Sequence, residues 1–200
     1  MKSRLLVGVV CLLAFNCSAT TINFGNDSDF GLGSRHRVGF LLGSIITIDQ
    51  TVDLLAAGII FYSGGYNGNI GIYSSNAGEP DQLLATTGAF HVPGAGTLEV
   101  PFTSNVTLDV GDYWFMGVYD EISSIGIKQH TNAEYEYRSL NFTSELPTAF
   151  GTAITESEQE YNYYIKAAVI PIPSALYLFG SGSGLLGLVG IARRKKAAER

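Results

Sequence analysis

Turn-forming clusters recur between Thr20 and Val169 at intervals of about ten residues, and this spacing limits what the chain can become. Ser63-Gly64-Gly65, Asn76-Ala77-Gly78-Glu79-Pro80-Asp81, Gly94-Ala95-Gly96 and the Gly111-Asp112 corner interrupt the sequence before a soluble amphipathic helix can run. The stretches between them are short and rich in β-branched and aromatic residues. Ile45–Asp49 reads as a strand. Val52–Tyr62 is a longer apolar run broken by Gly58. A buried helix would also fit it, but its Ile59-Ile60-Phe61-Tyr62 ending and the turn that follows favour a strand.

The same pattern continues along the chain. Ile70 and Ile72 alternate with small or polar residues, and Leu83–Thr87 forms a short strand. Leu98, Val100 and Phe102 share one face, and Val106, Leu108 and Val110 share another. Asp112–Tyr119 is the richest segment, with Trp114, Phe115, Met116 and Val118; Ser124–Lys128 and Tyr161–Ala168 complete the set. Thr21–Arg37 is polar and Gly-rich and reads as a loop or a weak edge strand. The expected fold is all-β: an antiparallel β-sandwich, jelly-roll-like because its first and last strands can pair, with Trp114, Val118, Ile60 and Ile72 inside.

Charge narrows the function classes. Thr20–Val169 holds five bases (Arg35, Arg37, Lys128, Arg138 and Lys166) against 17 acids, a net charge of −12. Such a surface repels nucleic acid and anionic membranes and favours solubility. Both cysteines, Cys11 and Cys17, precede this region, so no disulfide is expected within it.

Catalytic signals are sparse. His36, His91 and His130 are scattered without metal-ligand spacing, and no G-x-S-x-G elbow is present. Asp112, Asp120 and Glu121 lie near strand ends and offer a carboxylate pair for glycoside hydrolysis, or simply belong to an acidic surface. Asp27-Ser28-Asp29 has the look of a calcium loop but lacks the twelve-residue ligand frame. Tyr135, Tyr137, Tyr161, Tyr163 and Tyr164 stand among Glu134, Glu136, Glu156, Glu158 and Glu160. Exposed tyrosines stack on sugar rings and carboxylates bind their hydroxyls, so Tyr135, Tyr137, Tyr161 and Tyr163 are candidate glycan contacts. The competing reading is that these rings fill the sandwich.

The two ends read as addresses. Lys2 and Arg4 precede the apolar run Leu5–Phe15, and small residues lead to a cut between Ala19 and Thr20: a secretory signal peptide over residues 1–19. Cys17 admits a lipoprotein reading, which Phe15 and Asn16 fit poorly. At the other end stand Ile170-Pro171-Ile172-Pro173-Ser174-Ala175, an uncharged Gly-rich run ending at Ala192, and the basic cluster Arg193, Arg194, Lys195 and Lys196. At 1.5 Å per residue the uncharged run from Ile172 reaches roughly the 30 Å of a bilayer core. The basic cluster is the expected membrane stop and keeps that end in the cytoplasm.

This three-part tail resembles the PEP-CTERM sorting signal of Gram-negative bacteria, in the variant written V-P-L-P-A. Ile172 stands where the commoner form has Glu between the prolines, which bears on the exosortase subtype. The resemblance implies a transient inner-membrane anchor over residues 170–200, cut near Pro171 and Pro173 by an exosortase-type membrane protease, and release to the cell surface or matrix. A second resemblance lies in Leu108, Gly111, Tyr113 and Trp114, which match the L-x-x-G-x-Y-W corner of jelly-roll, carbohydrate-binding-like domains of exported bacterial proteins. It covers Ile45–Tyr119 and speaks to fold more than to function. The expectation is a non-enzymatic surface or extracellular-matrix protein associated with exopolysaccharide or biofilm, without cofactor. The alternative is a small secreted carboxylate-dependent glycan hydrolase.

Overall fold

β-branched and aromatic runs between the turns pair into two antiparallel sheets joined by one long strand. The computed structural model describes residues 20–36, 38–142 and 145–170, without the side chains at 34–36, 130–134 and 156–158. Twelve strands are present among them: β1 (Thr21–Gly25), β2 (Gly33–His36), β3 (Phe40–Ile48), β4 (Val52–Phe61), β5 (Tyr66–Asn76), β6 (Glu79–Val92), β7 (Gly96–Pro101), β8 (Thr107–Leu108), β9 (Gly111–Tyr119), β10 (Ser123–Ser139), β11 (Ile154–Tyr161) and β12 (Tyr163–Val169). One sheet carries β1, β12 and β4, with β7 and β8 in tandem on the far side of β4 and with β2 on the start of β10. The other runs β6-β5-β9-β3-β10-β11.

The expected all-β, antiparallel sandwich is therefore the observed architecture. The first and last strands pair as expected, from Thr21 opposite Ala168 to Gly25 opposite Tyr164. The Val52–Phe61 run is a strand, not a helix. Trp114, Val118, Ile60 and Ile72 are all buried.

Several strand assignments change: the expected turn Asn76–Asp81 narrows to Ala77-Gly78, and the short strand Leu83–Thr87 grows into β6. Val110 does not continue the inward row of Val106 and Leu108; it is 65 % exposed in the turn before β9. The Ser124–Lys128 strand extends to Ser139, with an irregularity between Gln129 and Glu134 where it passes from one sheet to the other. β11 reads I-T-E-S-E-Q-E-Y and is too polar to stand out as a strand. It lies at the edge of its sheet, where acidic residues are compatible with pairing on one side and discourage pairing on the other. The expected strand Tyr161–Ala168 is consequently two strands. Tyr161 ends β11, the chain turns at Asn162, and β12 begins in the other sheet.

β9 is buried on both faces, which explains its near-continuous apolar sequence. Phe115 and Tyr119 point between the sheets, into the main core with Ile46, Ile59, Ile70, Ile72 and Ile165. Trp114, Met116 and Val118 point the other way, into a second layer with Leu41 and Tyr73. That layer is covered by Leu146 and Phe150 from the β10–β11 connection. Backbone bonds from Leu83 to Thr148 (2.8 Å) and from Phe150 to Asp81 (2.7 Å) tie this connection to β6. The Tyr73 hydroxyl donates to the Pro147 carbonyl at 3.0 Å.

The described residues contain no cysteine, so burial carries the stability. The melting temperature of the domain is expected to be unchanged by dithiothreitol. A fall of several degrees, read by circular dichroism, would implicate Cys11 or Cys17 in a stabilising bond.

Among the described residues no helix is long and apolar enough to cross a membrane. The helix expected in the tail, with Pro171, Pro173, Arg193, Arg194, Lys195 and Lys196, lies outside the described residues, as does Ala19.

Candidate functional site

The candidate glycan-binding tyrosines come together, but inside the molecule. β10, β11 and β12 project their rings toward the core, where aromatic surface gains most from leaving water. Tyr135, Tyr161 and Tyr163 are 8 %, 5 % and 1 % exposed, and Tyr137 is half-buried. Their rings form a chain of contacts. Tyr137 stacks on Tyr135 (6.2 Å), Tyr135 meets Tyr161 edge-on (5.8 Å), Tyr161 stacks on Tyr163 (5.4 Å), and Tyr163 stacks on Phe115 (4.5 Å). Phe40 caps the row edge-on against Tyr137. The faces that would receive a sugar are occupied by other rings. This corrects the glycan-contact expectation for Tyr135, Tyr161 and Tyr163: with period-two alternation, their side chains fall on the core face.

The acids named in the sequence serve mainly to fasten structure. Asp112 accepts from Thr47 Oγ1 at 2.7 Å. Asp120 receives the Asn67 backbone N–H and side-chain amide, each at 2.7 Å. Asp112 lies near the start of β9 and Asp120 just past its end, about 25 Å apart along an extended strand. Glycoside hydrolysis needs two carboxylates within about 5–10 Å, so Asp112 cannot pair with Asp120 or Glu121 for that chemistry. Glu136 is buried and accepts from Thr155 Oγ1.

Asp27 accepts from Asn23 at 3.1 Å. Asp29 accepts from the Gly31 backbone N–H at 2.8 Å and from the Tyr62 hydroxyl. The Tyr62 bond, followed by the Gly31 N–H, holds the Asp29 carboxyl below its ordinary range, and the same contact pushes the Tyr62 hydroxyl up. His91 is exposed and contacts Asn67 at 3.3 Å. Among the described residues no three His, Cys, Asp or Glu side chains gather in a way that could hold a metal ion.

What the sequence reading did not single out is the end of the sandwich where several connections meet. Asn162, fully buried, is its hub. Its side-chain amide donates to the carbonyls of Ser28 (2.6 Å) and Asn26 (3.3 Å), and its Oδ1 accepts the Phe30 N–H (3.1 Å). Its backbone N–H donates to Gly126 (2.7 Å), and its carbonyl accepts from Ile60 (3.2 Å). A Cβ on Gly126 would lie 2.1 Å from Asn162 Oδ1, so glycine is needed there for the amide to reach the 26–31 loop.

That loop is thereby pressed against the 62–65 turn. Tyr62 donates its backbone N–H to Ser124 (2.8 Å), and Gly65 donates to Val92 (2.8 Å). Four connections, 26–32, 62–65, 93–95 and 120–122, converge at this end. A sequence signal for the hub did exist: Asn162 is a lone amide inside Tyr161-Asn162-Tyr163-Tyr164. The Asp29–Tyr62 pair left no local trace, because its members are 33 positions apart.

The chain enters and leaves the domain at the opposite end. Thr20, the expected mature N-terminus, accepts the Val169 N–H at 2.9 Å, and Ile170 donates to Thr51 at 3.4 Å. Comparison with known protein families and with curated proteins finds no match for this chain.

Proposed function

We propose that this chain is an exported, non-enzymatic surface or extracellular-matrix protein that an exosortase-type membrane protease sorts and that associates with extracellular polysaccharide. The observation that carries the reading is the order of the tail: a proline motif, an uncharged span and a basic stop, immediately after the last strand of a β-sandwich. The domain boundaries are compatible with it, since the compact unit runs from Thr20 to Ile170, between the two expected processing segments. The topology is read here as jelly-roll-like, on the strength of the β1–β12 pairing and the strand that passes between sheets. The tail is read as a transmembrane helix that holds the chain in the inner membrane until it is cut.

The physical logic of the cut is local. Proline lacks a backbone N–H and disfavours helix in the residue before it, so an I-P-I-P segment cannot hide its peptide bonds in a helix. Pro171→Ala combined with Pro173→Ala is expected to block processing and leave the full-length chain in the membrane fraction. Mass spectrometry of the surface-released form reads the outcome. A released protein that still ends at Arg200 would overturn the sorting reading and leave the tail as an anchor only.

A further inference from the structure

We propose that the loop-built end of the sandwich opposite Thr20 and Ile170 is the ligand-facing surface, and that Tyr62 and Asp29 together bind an uncharged sugar. This rests on the polysaccharide association proposed above and moves its contacts away from the core tyrosines.

The two residues come from different connections and are brought together by the fold. Tyr62 opens the 62–65 turn just after β4 and is half-buried, while Asp29 lies exposed in the 26–32 loop that Asn162 clamps. An apolar ring beside a fixed carboxylate matches the two faces of a pyranose: C–H groups that stack, and hydroxyls that donate. The Asp29 carboxylate is already oriented, and both of its bonds fall on Oδ1. Among the described residues no donor takes Oδ2, which leaves that oxygen for a sugar hydroxyl. Leu32 (48 % exposed) follows Asp29 by three residues, and Ile122 (59 % exposed) precedes by two residues Ser124, whose carbonyl accepts the Tyr62 N–H.

Charge selects the class of glycan. The region Thr20–Val169 carries five bases against 17 acids. Polyuronates and sulfated chains meet repulsion across such a surface, and neutral glycans do not. Thr20 and Ile170, where the described domain begins and ends, both lie at the other end of the sandwich, with Ile170 bonded to Thr51.

The test is retention of the full chain, in a polyoxyethylene detergent, by affinity electrophoresis in gels containing either a neutral β-glucan or a polyuronate. The expected result is retention by the neutral polymer at least tenfold stronger than by the polyuronate. Tyr62→Ala and Asp29→Asn should each weaken it by about tenfold, the scale of one lost stacking or charge-assisted contact. Tyr62→Phe keeps the ring and should retain most of the binding. Val110→Ser, at the opposite end, should change nothing. Melting curves of the same samples separate lost binding from lost folding. Undiminished retention of folded Tyr62→Ala, or equal loss in Val110→Ser, would overturn the assignment of the surface while leaving polysaccharide association intact. Equal retention by the polyuronate would overturn the ligand class. If the unaltered chain is retained by neither polymer, the proposed association itself fails along with this site.

Discussion

Asn162→Ala is expected to lower the stability of the domain by about 2–4 kcal/mol, which for a domain of this size is a fall in melting temperature of roughly 10 °C. The size follows from what the amide holds. It pairs the Phe30 N–H and the carbonyls of Asn26 and Ser28, none of which gains a replacement partner from a methyl group. The residue is fully buried, so the side chain's own place is also left empty. Asn162→Asp separates the two roles of the amide. It keeps the acceptor for Phe30 but sets a carboxylate oxygen against the Ser28 carbonyl, where an N–H now donates at 2.6 Å. It should therefore destabilise at least as much as alanine at neutral pH. The 26–31 loop should open first in both variants and become a site of limited proteolysis. A melting temperature unchanged by Asn162→Ala would show that the strand ladders alone hold the corner.

The corner also shows where sequence reading reaches its limit in this chain. Alternation revealed β5 and β7, where one apolar face imposes a period of two, and β-branched or apolar runs bounded by turns revealed β3, β4 and β9. β11 was invisible for the opposite reason. It is an edge strand whose Thr155-Glu156-Ser157-Glu158-Gln159-Glu160 stretch carries no apolar face. Without β11, Tyr161 looked like the start of the last strand, and Asn162 looked like an ordinary position within it. The tyrosines illustrate a second limit. Their types and spacing fit both a sugar platform and a core. Only the packing of β10, β11 and β12 decides that Tyr135, Tyr161 and Tyr163 stack on one another and on Phe115. Tyr62 and Asp29 are a third case. Asp29 reads locally as part of a calcium-like acidic loop and Tyr62 as the end of an apolar run, and the pair exists only because Asn162 draws a distant loop onto the end of β4.

Burying so many phenols has a consequence at high pH, and it is the other large effect expected. Tyr119 and Tyr163 are fully or almost fully buried, and their hydroxyls meet near Gly117. A Cβ on that glycine would lie 3.1 Å from the Tyr119 hydroxyl and 3.2 Å from that of Tyr163. Burial is the main cause that pushes both hydroxyls above the ordinary tyrosine range. The closeness of Tyr119 raises Tyr163 further, since a second phenolate beside the first is costly. The unfolded chain releases these protons near pH 10, while the folded domain keeps them. Between the two values the folded state therefore binds more protons, and stability falls as pH rises. Each buried tyrosine contributes a slope of about 1.4 kcal/mol per pH unit, so the pair contributes about 3. Against a typical domain stability of about 5–15 kcal/mol, cooperative unfolding is expected within roughly two to five units above pH 10. Tyrosinate absorbance and the β-sheet circular dichroism signal, recorded together in an alkaline titration, should show a last absorbance step that coincides with loss of the sheet. In Tyr119→Phe the slope of stability against pH should drop by about one proton's worth, and the last step should shrink by one tyrosine. Full tyrosinate absorbance while the sheet signal persists would mean that these hydroxyls reach water in the folded protein, and the buried stack as described would be wrong.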